Sequence, residues 1–164
     1  MPSNKLYYAN GALYADLGEE SRIYFYENGQ VKTVEPYREG RLHGEALLYW
    51  PNGGFKRRAH FLVGIRHGLD QMWSEEGRLV DEGAYEQGKP IGVHRRWSVK
   101  GDLIEEIVYL DAVRFNLRQW DELGELRFES IWEEMKYVEK TWDRFQKLWI
   151  EKQGLWDGKK MMYV

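Results

Sequence analysis

The 164-residue chain has no cysteine, which excludes disulfide stapling and thiolate chemistry and fits a reducing compartment. It has no apolar run near membrane-spanning length. Met1-Pro2-Ser3-Asn4-Lys5 leads straight into patterned sequence, with no signal-peptide core. These absences predict one soluble, cytoplasmic domain. Excess charge of one sign is also missing: 24 Lys and Arg stand against 27 Asp and Glu, a net charge of −3. No general polyanion-binding surface is forecast, so neither nucleic acid nor a membrane is an expected partner. There is no phosphate loop, hydrolase elbow or nucleotide fingerprint, and an enzyme is not expected. What the chain does have is aromatic side chains, 15% of all residues, with Trp alone contributing 8. Such residues serve cores and binding hot spots alike.

Those aromatics recur. Read in steps of 24, Gly40, Gly64 and Gly88 fall in register, as do Gly44, Gly68 and Gly92. Gly29, Gly53, Gly77 and Gly101 form a third ladder. Phe25, Tyr49, Trp73 and Trp97 keep the same beat, as do Tyr37, Phe61, Tyr85 and Tyr109, and Val31, Phe55, Leu79 and Leu103. Self-similarity at a fixed period identifies a repeat architecture. Glycines punctuate strand-length runs, so each unit reads as a β-hairpin. Its inner turn is a type I turn closed by a left-handed glycine, as in Trp50-Pro51-Asn52-Gly53.

Strict alternation along the strands then assigns two faces. Leu47, Tyr49, Phe55 and Phe61, with Gln71, Trp73, Leu79, Tyr85, Trp97, Leu103 and Tyr109 as equivalents, make an aromatic side expected to be the core. Leu48, Trp50, Arg58, Asp70, Met72, Glu82, His94, Arg96 and Glu106 make a mixed side expected to be wetter.

The ends depart from the period. Residues 1–20 read as an N-terminal capping hairpin about Asn10-Gly11, with Glu20 where the ladder asks for glycine. Four repeats fill 21–112. Ala112 and Asn116 replace later glycines, and 113–129 reads as a degenerate fifth hairpin. Ile131, Met135, Val138, Trp142, Phe145 and Trp149 are then spaced 4, 3, 4, 3, 4, a helical stripe. Ser130-Ile131-Trp132-Glu133 matches a capping box and Gly154 a stop, so a helix is expected over 130–154. It would lie as a lid on the last hairpin or form a homodimer seam. Residues 155–164 are a tail without a readable period. The fold class expected is mainly β: an elongated antiparallel meander of stacked hairpins with a C-terminal capping helix.

Glu39-Gly40-Arg41-Leu42-His43-Gly44, Trp50-Pro51-Asn52-Gly53-Gly54-Phe55-Lys56 and Tyr85-Glu86-Gln87-Gly88-Lys89-Pro90-Ile91-Gly92 resemble MORN repeats. More narrowly, they resemble the bacterial variant found in antitoxin components of toxin–antitoxin modules. The resemblance covers about residues 21 to 111 and implies a stacked-hairpin fold. It also implies an immunity function: direct binding and occlusion of a cognate protein toxin, possibly an effector encoded nearby. The alternative is a non-enzymatic scaffold that self-associates or tethers proteins at a membrane.

His43, His60, His67 and His94 have no ligand cluster in sequence, and no metal or cofactor is expected. Glu105 and Glu106 alternate across a strand and are not expected to share a substrate. The residues expected to meet a partner lie on the mixed side. Tyr24, Tyr26, Trp50 and Met72 serve as anchors, with Arg58, Asp70, Glu82 and Arg96 for charge matching.

Overall fold

A computed structural model describes residues 4–111, 113–156 and 161–163. One backbone device recurs through it. Six turns among the described residues end on a left-handed glycine whose amide bonds back three residues, as Gly53 (φ 86°) does to the Trp50 carbonyl at 2.9 Å. The Trp50 amide in turn bonds the Gly54 carbonyl at 2.8 Å. A type I turn closed this way forms a bulge with Gly53 and Gly54 opposite Trp50, and a second bulge follows on the returning strand. Tyr49 pairs Phe55, but Leu48 pairs Arg57, so Lys56 is the extra residue. The same one-residue insertion falls at Tyr14, Lys32, Val80, Ile104 and Arg127. Three of the outer connections are two-residue turns. Glu39-Gly40, Val63-Gly64 and Gln87-Gly88 all have positive φ at both positions, the geometry whose twist matches flanking antiparallel strands.

The chain forms two units, Met1–Pro90 and Ile91–Val164. In the first, β1 (Asn4–Tyr7), β2 (Leu13–Leu17), β3 (Ser21–Phe25), β4 (Val31–Arg38), β6 (Gly44–Tyr49), β7 (Phe55–Leu62), β8 (Ile65–Trp73) and β9 (Leu79–Glu86) are antiparallel neighbours in that order. The short β5 (Arg41–Leu42) pairs β4. The second unit holds β10 (Lys89–Trp97, which starts at the boundary), β11 (Leu103–Tyr109), β12 (Phe115–Trp120), β13 (Leu126–Glu133), β14 (Lys136–Asp143), β15 (Leu148–Trp156) and β16 (Met161–Tyr163), also in chain order. The mainly β meander of hairpins stands. Ala112, whose replacement of a glycine marked the array's end, lies outside the described residues.

The expected C-terminal helix is not there. Residues 126–156 form β13, β14 and β15, and no helix occurs among the described residues. The 4-3-4-3-4 stripe has another origin. A tight turn at Glu134-Met135 pairs Ile131 with Val138, and the next hairpin pairs Trp142 with Trp149. Each pair is seven residues apart, two helical turns in one reading and a cross-strand contact in the other. Met135 and Phe145 fall in the turns, 56% and 85% exposed. Ser130, read as a helix cap, is 2% exposed and pairs Leu117 and Glu139 across its neighbours. Without a helix, neither the lid nor the helical dimer seam exists.

Among the described residues neither unit has a large apolar core. Ala15, Ala46 and Ala59 are the buried apolar residues among those described, and Asp70, Ser74 and Ser130 the buried polar ones. Larger side chains are half-buried by neighbours on their own face, the arrangement of a one-layer sheet held by cross-strand rows.

Candidate interaction surface

The recurrent bulge decides which side chains share a face, because one inserted residue inverts the parity of the strand beyond it. On one face of the first unit, directly paired residues read Lys5, Asp16, Ile23, Val34, Leu47, Arg58, Gln71 and Glu82. The row on the other face reads Leu6, Ala15, Tyr24, Thr33, Leu48, Arg57, Met72 and Asp81. Arg58 and Glu82, assigned to the mixed side by strict alternation, therefore lie with Leu47 and Tyr49. Phe61 and Tyr85, assigned to the aromatic side, lie with Ala46, Ala59 and Asp70. Strict alternation fails at each hairpin's return strand for this reason alone.

The face carrying Arg58 has an aromatic strip near the inner turns. Tyr49 stacks on Phe55 with ring centroids 5.2 Å apart, and Phe55 lies 5.8 Å from Trp73. Phe55 is 47% exposed. Beside the strip, Arg58 and His60 both reach the Glu45 carboxylate, His60 at 3.2 Å. Gln71 donates to Glu82 at 2.7 Å. An exposed ring between two half-buried ones on paired strands, flanked by an ion pair and an amide, has the ingredients of a protein-recognition patch.

Two of the four predicted anchors are hydrogen-bonded within the chain. Tyr26 Oη donates to the Tyr49 carbonyl at 2.8 Å, and Trp50 Nε1 to the Trp73 carbonyl at 3.0 Å. Tyr8 makes the same bond to Phe25 at 2.7 Å. Each turn-entry aromatic thus fastens one hairpin to the next, a role the period of 24 signals but composition does not. Asn52 Nδ2 adds a parallel stitch to the Glu75 carbonyl at 2.8 Å. Asp70 is buried and takes both Arg57 Nε (2.8 Å) and Arg57 Nη2 (2.5 Å), with Arg66 at 3.6 Å. The hydrogen bond to Asp70 raises the Arg57 pKa above its ordinary value. Tyr24 and Met72 are half-buried in the row beside these residues. Arg96 belongs to the second unit, where it pairs Glu105 at 3.0 Å. Of the eight predicted residues, the structure brings Arg58 and Glu82 to one row. Tyr24, Tyr26, Trp50, Asp70 and Met72 gather on the opposite face. Strip residues Tyr49, Phe55 and Trp73 were legible as a ladder but were assigned to a core.

On the opposite face, a cleft of 1020 Å³ is lined by Leu17, Glu19, Glu20, Arg22, Tyr37 and His43, among others. The Arg22 guanidinium sits 4.1 Å above the Tyr37 ring there, and burial followed by the Glu35 carboxylate raises the Tyr37 pKa. Among the described residues no group of three or more His, Asp or Glu is placed to hold a metal ion. No helix among them is long and apolar enough to cross a membrane.

No protein-family model matches the chain, and no curated protein aligns with it significantly.

Proposed function

We propose that this chain is a non-enzymatic protein-binding module that neutralises a cognate protein toxin in the cytoplasm by covering it. The observation carrying the binding half of the reading is the Tyr49, Phe55, Trp73 strip beside Arg58 and Glu45. A surface pre-ordered by strand pairing gives up little conformational entropy on association. The toxin half is supported by the resemblance of the Gly40–Gly92 ladders to the bacterial MORN variant.

Co-expression tests it. A protein encoded beside this one should be toxic alone and harmless in the presence of the wild-type chain. Phe55→Asp should lose that protection while keeping the wild-type circular dichroism spectrum. If no neighbour is toxic alone, or if folded Phe55→Asp protects fully, the reading fails.

A further inference from the structure

In the second unit, directly paired residues across β10 to β15 read Arg95, Glu106, Arg118, Glu129, Lys140 and Glu151. Charge alternates at every step. Nitrogen–oxygen separations are 2.9 Å for Arg95–Glu106, 3.9 Å for Arg118–Glu106, 2.8 Å for Arg118–Glu129 and 3.6 Å for Lys140–Glu151. The Lys5-to-Glu82 row of the first unit is interrupted by Ile23, Val34, Leu47 and Gln71, so a sheet of this kind does not need unbroken alternation. Nor does stability demand it, since exposed ion pairs contribute little. The Arg95 and Arg118 side chains stand 44% and 49% exposed, whereas those of Glu106 and Glu129 are 17% exposed.

Alternation over an even number of positions has a consequence in symmetry. Reversing the row exchanges every cation for an anion. We propose that this face binds the same face of a second copy of the chain, about a two-fold axis parallel to the strands. That axis sets Arg95 against Glu151 of the second copy, Glu106 against Lys140 and Arg118 against Glu129, and the converse, as an isologous interface requires. A two-fold axis along the row would instead set like on like. Sheets packed face to face keep their strands within about 30° of one another, which the first axis satisfies.

Two features beside the row fit the same axis. A depression of 210 Å³, lined by Glu129, Glu133 and Glu151 together with Lys136 and Lys140 and by Ile131 and Val138, faces the raised Arg118 and Arg95 of the second copy. Trp142 and Trp149, with ring centroids 5.7 Å apart, face Trp97 and Leu103 of the second copy. Trp149 is 40% exposed and supplies apolar area. The proposal uses none of the residues of the toxin-binding reading and stands or falls separately.

Sedimentation equilibrium on the full chain at low salt tests it. A monomer–dimer equilibrium is expected, weakened by added salt because exposed charges are screened. Glu106→Lys and Lys140→Glu each set like charges across the axis and lose the dimer. Both also clash with their neighbours in the sheet, and the double variant Glu106→Lys/Lys140→Glu clashes more. The double variant nevertheless restores opposite charges across the axis, so it recovers the dimer. A wild-type chain that stays monomeric overturns the proposal, as does a dimer that Glu106→Lys leaves intact or a double variant no more dimeric than the single ones. If the double variant does not fold, the salt series decides: a dimer indifferent to salt overturns it equally.

Discussion

Val63 is a β-branched residue held at φ 53° in an outer turn, where Glu39 and Gln87 take φ 52° and 50°. Left-handed backbone crowds Cβ against the following carbonyl, and a branched Cβ suffers most. Val63→Asn keeps the turn and relieves the crowding, so it should stabilise the chain by about 1 kcal/mol in urea unfolding. An unchanged or lower midpoint would mean that the turn is not left-handed. Trp50 behaves in the opposite sense. Its indole N–H is bonded to the Trp73 carbonyl and Lys56 Nζ lies 4.3 Å above its ring. Trp50→Phe loses the hydrogen bond and weakens the cation contact, and should cost about 1–2 kcal/mol. Its effect on partner binding should be small, because Trp50 lies on the face away from the Phe55 strip. Loss of binding without loss of stability would return Trp50 to the role that its residue type suggested.

At the scale of elements, the hairpins were legible and the faces only half so. Glycine spacing marks every inner turn from Gly29 to Gly101, since a left-handed position leaves few alternatives. The bulge at Lys56 carries no such mark, because many residue types serve there: Tyr14, Lys32, Val80 and Ile104 are its counterparts. Phe61 and Arg58 were exchanged between faces for that reason. The false helix at 130–154 arose because short hairpins and helices both bring residues seven apart together, as Ile131–Val138 and Trp142–Trp149 do.

The connection from β11 to β12 lacks a glycine of the ladder and is closed by Asp111 instead. Its carboxylate accepts the amides of Val113 at 2.9 Å and Arg114 at 2.8 Å, and Arg114 Nε at 2.7 Å. These donors, the Arg114 amide first, hold the Asp111 pKa down to about 2. A depressed carboxyl pKa contributes stability that is present above the unfolded-state value of about 3.9 and is lost as pH falls through the folded one. The Val113 and Arg114 amides should therefore stay protected from hydrogen exchange through mild acid and open as pH approaches about 2. In Asp111→Ala they should exchange fast at every pH. Equal protection in the variant would show that the loop closes without its carboxylate.

Among the described residues of each unit, sheet faces replace a core. The side chains that would be interior in a layered fold remain half-exposed, so the rings that hold the sheet are also open to solvent. This is why residue type alone separates fasteners such as Tyr26 from proposed recognition residues such as Phe55 so poorly. Hydrogen bonding separates them: Tyr26 is bonded to the next hairpin, whereas Phe55 offers only its ring.

The absence of native cysteine permits a direct test of which face is used. Arg58→Cys and Lys32→Cys each introduce one thiol, the first on the strip face and the second on the opposite face, where Lys32 Nζ lies 5.5 Å from the Tyr26 ring centroid. Rates of thiol alkylation are then compared with and without the toxin identified by co-expression. Slowed alkylation at position 58 with no change at position 32 is the predicted result. Protection at position 32 with none at position 58 would contradict the account.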